Sequence, residues 1–267
     1  MSFQFSSMVC APTTLKAMCL AVIVLCSSNV VSADEIVFTS TGVRPVLLEL
    51  YSSQGCSSCP PAQKWVNRFT ESDGLWSKFI PIVFHVDYWD YIGWKDPFSS
   101  PAFSKRQRSF GLEGLVNSIY TPGFVVNGHE WKGWFRGQAI DPYKFNRSSN
   151  IGLATIAKQD KVEVSYTLSD QYQTNEGQVH IAILGFDLIT QIQAGENANR
   201  TLSDNFVVLG YKQQVIEGHQ QTIEYPRLSA QAEKYGLVVW TTKNNGLEPT
   251  QAVGGYLPSH WALQSLN

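Results

Sequence analysis

Apolar residues fall along this chain in two rhythms, and the change comes near Lys158. Before it, short continuous apolar runs alternate with segments of helical spacing. Pro45-Val46-Leu47-Leu48-Glu49-Leu50-Tyr51 is mostly apolar over its whole length, which predicts a strand buried on both faces. Ala62 to Phe69 predicts a helix with Trp65, Val66 and Phe69 on one side, and Ile80 to Val86 predicts a second buried strand. An aromatic-rich stretch runs from Tyr88 to Trp94, and a helix is expected around Phe103 to Phe110. Phe124-Val125-Val126 and Glu130 to Phe135 flank Asn127-Gly128, the signature of a hairpin with a tight turn. Asp141-Pro142 predicts a last helix, with the acid as cap and the proline at the first helical position. Beyond Lys161 the pattern becomes polar/apolar alternation. Lys161 to Leu168, Gln178 to Phe186, Asn205 to Val215, Gln220 to Tyr225 and Tyr235 to Thr242 predict short strands separated by Gly, Asn or Pro, as in a small antiparallel sandwich.

The first half therefore reads strand, helix, strand, helix, hairpin, helix, and Cys56-Ser57-Ser58-Cys59 falls at the first strand-to-helix turn. That order resembles an α/β thioredoxin-like domain with its CxxC. The expected fold is such a domain over residues 34–158, followed by a small all-β, sandwich-like domain over 159–267. Thr121-Pro122 stands just before the hairpin strand, where thioredoxin-like proteins place a cis-proline facing the disulfide. The resemblance implies the cis bond, because few X-Pro bonds are cis.

The N-terminal 33 residues change what the thiols mean. Lys16 precedes an uncharged run from Ala17 to Leu25, then Ser27, Ser28 and the small-residue end Val31-Ser32-Ala33. This is the pattern of a signal peptide cleaved after Ala33. The run is about half of the roughly 20 residues that a spanning helix needs. Cys10, Cys19 and Cys26 would leave with the leader, so Cys56 and Cys59 are the only thiols of an exported chain. What remains carries 19 basic and 22 acidic residues, a net charge of about −3, which gives no electrostatic reason to expect nucleic acid. Two cysteines in so long a chain do not make a disulfide scaffold.

A wider set of residues is more particular. Ser53-Gln54-Gly55-Cys56-Ser57-Ser58-Cys59-Pro60-Pro61 is followed by His85-Val86-Asp87-Tyr88-Trp89-Asp90, Gly93-Trp94 and Asp96. Ser100-Pro101-Ala102-Phe103, Arg106-Gln107, Tyr120-Thr121-Pro122 and the run from Gly195 to Leu202 complete it. Over nearly all of the chain beyond the leader, this set resembles the secreted thioredoxin-like proteins of domain-of-unknown-function family 1223. The resemblance implies a thioredoxin-like domain joined to a β-rich one, found mostly in bacterial envelopes. The redox role it implies is presumed, since the family is named for having no established activity.

In a dithiol site the first cysteine attacks as thiolate and the second resolves the mixed disulfide, which makes Cys56 the nucleophile and Cys59 its partner. A thiol of pKa near 8.5 is only about 3% thiolate at pH 7, and a helix N-terminus can raise that fraction to roughly half. Pro60 and Pro61 complicate this, because a helix that begins only there leaves Cys56 a turn outside it. Two other readings stay open for the pair. As a static disulfide its ring is so small that loop closure contributes only about 2 kcal/mol, against about 4.7 for a hundred-residue loop. As a metal site it supplies half of a tetrahedral zinc shell, and neither His85 nor His129 has ligand spacing to it. Each of these histidines is more simply a hydrogen-bonded structural residue.

Glu49 in the first strand is either a buried proton acceptor beneath Cys59 or an exposed strand acid. Asp87, Tyr88, Trp89 and Trp94 emerge at the C-terminal end of the second strand, where ligands meet open α/β sheets. They either line a substrate groove or pack the two domains together. The loop from Glu196 to Arg200 carries the same ambiguity, and its polar residues equally fit a solvated turn.

The leading expectation is an exported, secreted or periplasmic thiol-disulfide oxidoreductase that acts on protein thiols, with Cys56, Cys59 and Pro122 at its centre and Glu49 and Thr121 in support. It needs no bound cofactor or metal. Its expected partners are a protein thiol or disulfide substrate and an unidentified electron partner, with no nucleic acid and no membrane span. The alternatives are a non-catalytic envelope binding module with a static Cys56–Cys59 disulfide, and a metal carrier.

Overall fold

The computed structural model describes Ser2 and residues 35–40, 42–145, 148–149, 151–168, 177–243 and 246–261. The leader expected at residues 1–33 lies outside the described residues apart from Ser2. All the described strands and helices belong to the unit Ala33–Asn267. A short strand β1 (Ile36–Ser40) precedes the first apolar run, which forms β2 (Val46–Ser52). The CxxC turn leads into α1 (Cys59–Asn67), and the second apolar run forms β3 (Phe79–His85). Every residue of β2 and β3 is buried, as continuous apolar runs require. The second helix, α2 (Pro101–Leu112), starts at Ser100, whose hydroxyl accepts from Ala102 N. The hairpin strands β4 (Gly123–Val126) and β5 (His129–Glu130) turn at Asn127 and Gly128, both at positive φ.

The last predicted helix of the first half does not form. Asp141 caps as expected, accepting from Tyr143 N, but only one 3-10 turn results, Pro142–Lys144, and the backbone is extended again at Phe145. The second half is built of strands: β6 (Ile151–Ala157), β7 (Lys161–Leu168), β8 (Gly177–Phe186), β9 (Leu188–Gln191), β10 (Thr201–Asp204), β11 (Val207–Val215), β12 (Gln220–Glu224), β13 (Lys234–Lys243) and β14 (Pro249–Tyr256).

The expectation of an α/β thioredoxin-like domain followed by a small all-β sandwich is corrected by how these strands pair. One eight-stranded mixed sheet runs β14-β13-β8-β11-β3-β2-β4-β5, so strands from both sides of Lys158 share it. The junction is β11 on β3, where Val207 lies opposite Val83 and Val83 N donates to Phe206 O at 2.9 Å. Fourteen strands stand against two α-helices among the described residues, so the molecule is mostly β-sheet. The physical reason is edge satisfaction: β3, buried on both faces, finds its second neighbour in a strand more than a hundred residues away.

Alternation along the second-half strands then separates two cores. Val179, Ile181 and Ile183 of β8 and Leu237 and Val239 of β13 pack with Val162 and Val164 of the four-stranded sheet β1-β6-β7-β12. Ala182, Leu184, Phe186, Val238 and Trp240 point the other way, into the core shared with β2, β3, Ala62 and Val66 of α1, and Phe103 and Phe110 of α2. No helix among the described residues is long and apolar enough to cross a membrane.

Candidate functional site

The chain leaves β2 at Ser52 and makes two tight turns before α1. Cys56 N donates to Ser53 O and Cys59 N to Cys56 O, both at 3.2 Å. The helix starts at Cys59, so Cys56 precedes it by three residues, and Pro60 and Pro61 occupy first-turn positions where proline costs little. Both cysteines are free thiols, each 1% exposed. Their sulfurs are 2.6 Å apart, and the Cys59 thiol donates to Cys56 Sγ.

The two thiols are driven in opposite directions. The Cys59 hydrogen bond brings Cys56 down to about 6 against the pull of burial, with help from Ser58 Oγ at 3.2 Å and from Thr121. Burial pushes Cys59 well above its ordinary value, and the neighbouring Cys56 adds to the rise. The Thr121-Pro122 bond is cis, and the Thr121 carbonyl lies 3.9 Å from Cys56 Sγ.

The expected supporting residues divide. Trp89 donates its indole N–H to Thr121 Oγ1 at 2.7 Å, and its Cβ and carbonyl crowd Gly55. Trp94 donates to Gln54 Oε1 at 3.3 Å. Tyr88 donates to Gln107 Oε1 of α2 at 3.0 Å, and Gln107 in turn holds the Tyr120 carbonyl at 2.7 Å. Asp87 is turned toward α2, where its carboxylate accepts from the Ser104 hydroxyl and its backbone N–H donates to Ser104 Oγ. The structure thus gathers Trp89, Trp94 and Thr121 on the thiol turn, with Tyr88 and Asp87 fastened to the adjoining helix. Glu49 is not brought to the thiols. Its two oxygens accept from Arg106 Nε and Nη2 at 2.9 and 2.8 Å and from the Tyr51 hydroxyl at 2.8 Å.

Two further groups hold the turn. Beneath it, Asp96 Oδ2 accepts from Gln54 N and faces His85 Nδ1, each at 2.7 Å, while Gln54 Nε2 donates to Asp204 Oδ2 at 2.8 Å. Burial works against charge here, but the His85 partner holds Asp96 below its ordinary range. Burial alone would lower His85, and the Asp96 carboxylate, with Asp204 and Asp90 behind it, outweighs that and raises it. Burial raises Asp204. His85 Nε2 is buried with no hydrogen-bond partner among the described residues. On the other side, the β9–β10 loop reaches over. Asn197 Nδ2 donates to the carbonyls of Gln54 and Cys56 at 2.8 and 3.0 Å, and Ser57 N donates to Glu196 Oε2 at 2.9 Å.

In the sequence Gln54 and Asp96 stand out only as motif residues, with no role attached, and Asn197 only as one member of the Glu196 to Arg200 loop. Gln54 and Asn197 lie among polar and small residues, Ser52-Ser53-Gln54-Gly55 and Gly195-Glu196-Asn197-Ala198, so no local signal marks them as buried. No three His, Cys, Asp or Glu side chains among the described residues group as a metal-ligand set.

Residues 47–242 match the family described as protein of unknown function DUF1223. The chain belongs to that family. No curated protein matches this DUF1223 chain. Among solved structures it is similar to protein AGR_C_4864 from Agrobacterium tumefaciens, with a TM-score of 0.59 and 21% identity, over 85% of this chain and 100% of that one. It is also similar to HBP35 of Porphyromonas gingivalis, with a TM-score of 0.55 and 13% identity, over 82% of this chain and 76% of that one. At these identities the likeness is one of fold.

Proposed function

We propose that this DUF1223 protein is an exported thiol-disulfide oxidoreductase that exchanges disulfides with protein thiols through Cys56 and Cys59. The observation that carries the reading is the opposed pair of thiols: one brought down to about 6, the other buried, raised and in contact with it. Held below its ordinary value, Cys56 carries more thiolate at pH 7 than the about 3% of an ordinary cysteine. In the reducing direction, Cys56 thiolate attacks one sulfur of a substrate disulfide. That S–S bond breaks, and the leaving thiolate departs with the bonding electron pair. Cys59 then gives its proton to water and attacks Cys56 Sγ in the mixed disulfide, releasing the second substrate thiolate. Two electrons have passed from the dithiol to the substrate, and the opposite direction runs these steps in reverse. Which one prevails depends on the potential of the couple and of its electron partner. The exchange uses the two sulfurs alone, and export rests on the leader pattern of residues 1–33.

The test uses protein recovered from the exported fraction, whose first residue is expected to be Asp34. Cys56→Ser is expected to abolish exchange with a model protein disulfide, and Cys59→Ser to accumulate a mixed disulfide. Absence of exchange by the parent across a series of redox buffers would overturn the reading.

The near-complete burial of both thiols favours a second reading, a binding module of the envelope in which the pair is static. In that case replacing both cysteines leaves partner capture intact while Trp89→Ala removes it.

A further inference from the structure

Cys56 is 1% exposed although Ser57 and Ser58 beside it are exposed. A thiolate that attacks a disulfide must reach a sulfur atom along the axis of the bond it breaks, which a covered sulfur cannot do. The turn is also pinned from outside. The loop from Ile192 to Arg200 closes on itself, with Ile192 N donating to Arg200 O and Asn199 N to Ile192 O, both at 2.9 Å. Gly195 and Asn199 stand at positive φ within it. It therefore has a shape of its own. Its buried residues are Ile192 at its base and Asn197, which is fully buried and oriented by Arg200 Nη1 at 2.7 Å. That orientation leaves both amide protons for the carbonyls of Gln54 and Cys56. Glu196 takes the Ser57 N–H, and Gly195 lies against Trp94, with only 3.3 Å between a Cβ placed there and Trp94 Cβ.

We propose that the loop from Ile192 to Arg200 is a clasp on the thiol turn, and that Asn197 and Glu196 are positioning residues that hold Cys56 under cover until the loop lifts. The proposal rests on the thiol-exchange reading and adds its regulation: exchange waits on release of the turn. A partner that competes for the Gln54 and Cys56 carbonyls with its own backbone N–H groups, as an extended polypeptide does, would release it.

The test measures alkylation of Cys56 and Cys59 separately by iodoacetamide, using mass spectrometry of the reduced parent and two variants. Asn197→Ala is expected to raise the Cys56 rate about tenfold, and Glu196→Gln about threefold, with Cys59 unchanged in both. The pH profile supplies a readout that loosened folding would not give. A lifted clasp multiplies the Cys56 rate equally at every pH and leaves the midpoint in place, whereas an unfolded chain moves it toward about 8.5 and alkylates both thiols alike. Should Asn197→Ala fail to fold, Glu196→Gln, a change at an exposed side chain, decides. Cys56 rates equal to the parent's in every folded variant would overturn the clasp. Disulfide exchange is assayed alongside, so a clasp without exchange sinks the oxidoreductase reading, and exchange without faster alkylation sinks the clasp alone.

Discussion

Glu49 and Asp96 are both buried carboxylates paired with a basic side chain, yet they serve different parts of the molecule. Glu49 meets Arg106 in a two-point pair that joins β2 to α2. The guanidinium lies 5.4 to 5.7 Å from the ring centres of Phe84, Phe110, Tyr211 and Trp240. From there Arg106 Nη1 donates to the Tyr211 hydroxyl at 3.4 Å. Tyr211 pairs with His180 Nδ1 at 2.8 Å, and His180 Nε2 with Thr242 Oγ1 at 3.0 Å. Burial, aided by the Arg106 charge, drives His180 well below its ordinary value and keeps it neutral. This chain of contacts crosses β2, α2, β11, β8 and β13, and so ties the two halves of the eight-stranded sheet together. The Asp96 pair is smaller, and it alone touches the thiol turn through Gln54 N. Each cluster leaves one buried nitrogen without a hydrogen-bond partner among the described residues, His85 Nε2 here and Trp240 Nε1 beside Arg106, so the two differ in what they hold together and not in how completely they are paired.

The sharpest way to break the comparison is at Glu49. Glu49→Gln leaves Arg106 charged and buried without its counterion, and removing one partner of such a pair costs about 3–5 kcal/mol. A fall in melting temperature of roughly 10 °C is expected, with the Cys56 alkylation rate of the still-folded protein unchanged. A Cys56 rate that changes severalfold would show that the two clusters are one system.

Asp96→Asn comes next, at about 2–3 kcal/mol, because His85 can lose its charge where Arg106 cannot. Here the Cys56 rate is expected to rise along with the loss of stability, since Gln54 N loses a charged acceptor. The pair also gives stability a pH signature. Asp96 is lowered in the fold, so its contribution is present above the ordinary 3.8 and lost as pH falls through its folded value. His85 is raised, so its contribution is full below the ordinary 6.5 and lost as pH climbs through its folded value. Asp204 is raised and works in the same sense as His85, costing stability as it ionises above 3.8. The parent is thus expected to be more stable at pH 6 than at pH 8, with the difference much reduced in Asp96→Asn. Denaturant titrations at the two pH values measure it. Equal stability of the parent at both would leave the pair without a charged histidine.

Much of this was legible locally and the rest was not, for reasons that particular residues make plain. The runs at Val46–Ser52 and Phe79–His85 read as buried strands because every position is buried, and Lys161–Leu168 read as a strand because buried and half-buried positions alternate along it. Gly177–Phe186, which also alternates at its start in sequence, is buried at every position but Gln178. The helix expected at Pro142 failed because its signal was only a cap: beyond Phe145 the sequence Asn146-Arg147-Ser148-Ser149 offers no apolar residue to carry a buried stripe. The β3–β11 junction was invisible, since a strand buried on both faces looks the same whichever neighbour pairs with it. The thiols were legible as a motif and Glu49 as a candidate base, but the strand pattern says nothing of an Arg106 located 57 residues on. Asn197 reaches Cys56 across 141 residues, a separation at which no spacing rule speaks.

The smallest effect is expected where the turn meets its cover. A Cβ at Gly55 would lie 3.2 Å from Trp89 Cβ and 3.3 Å from its carbonyl oxygen, closer than side chains ordinarily approach. Trp89 cannot retreat freely, because its indole N–H is held by Thr121 Oγ1. Gly55→Ala should therefore cost about 1 kcal/mol, at the low end for overpacking, since only a few tenths of an ångström must be found. The strain has two outlets. If the turn moves, the bonds to Asn197 and Asp96 lengthen and Cys56 alkylates about twofold faster. If Trp89 moves, its bond to Thr121 is the one to yield, its fluorescence shifts and the Cys56 rate holds. An unchanged melting temperature, fluorescence and Cys56 rate would mean that neither is fixed, and the picture of a turn clamped between Asp96 below and Asn197 above would fail at its tightest contact.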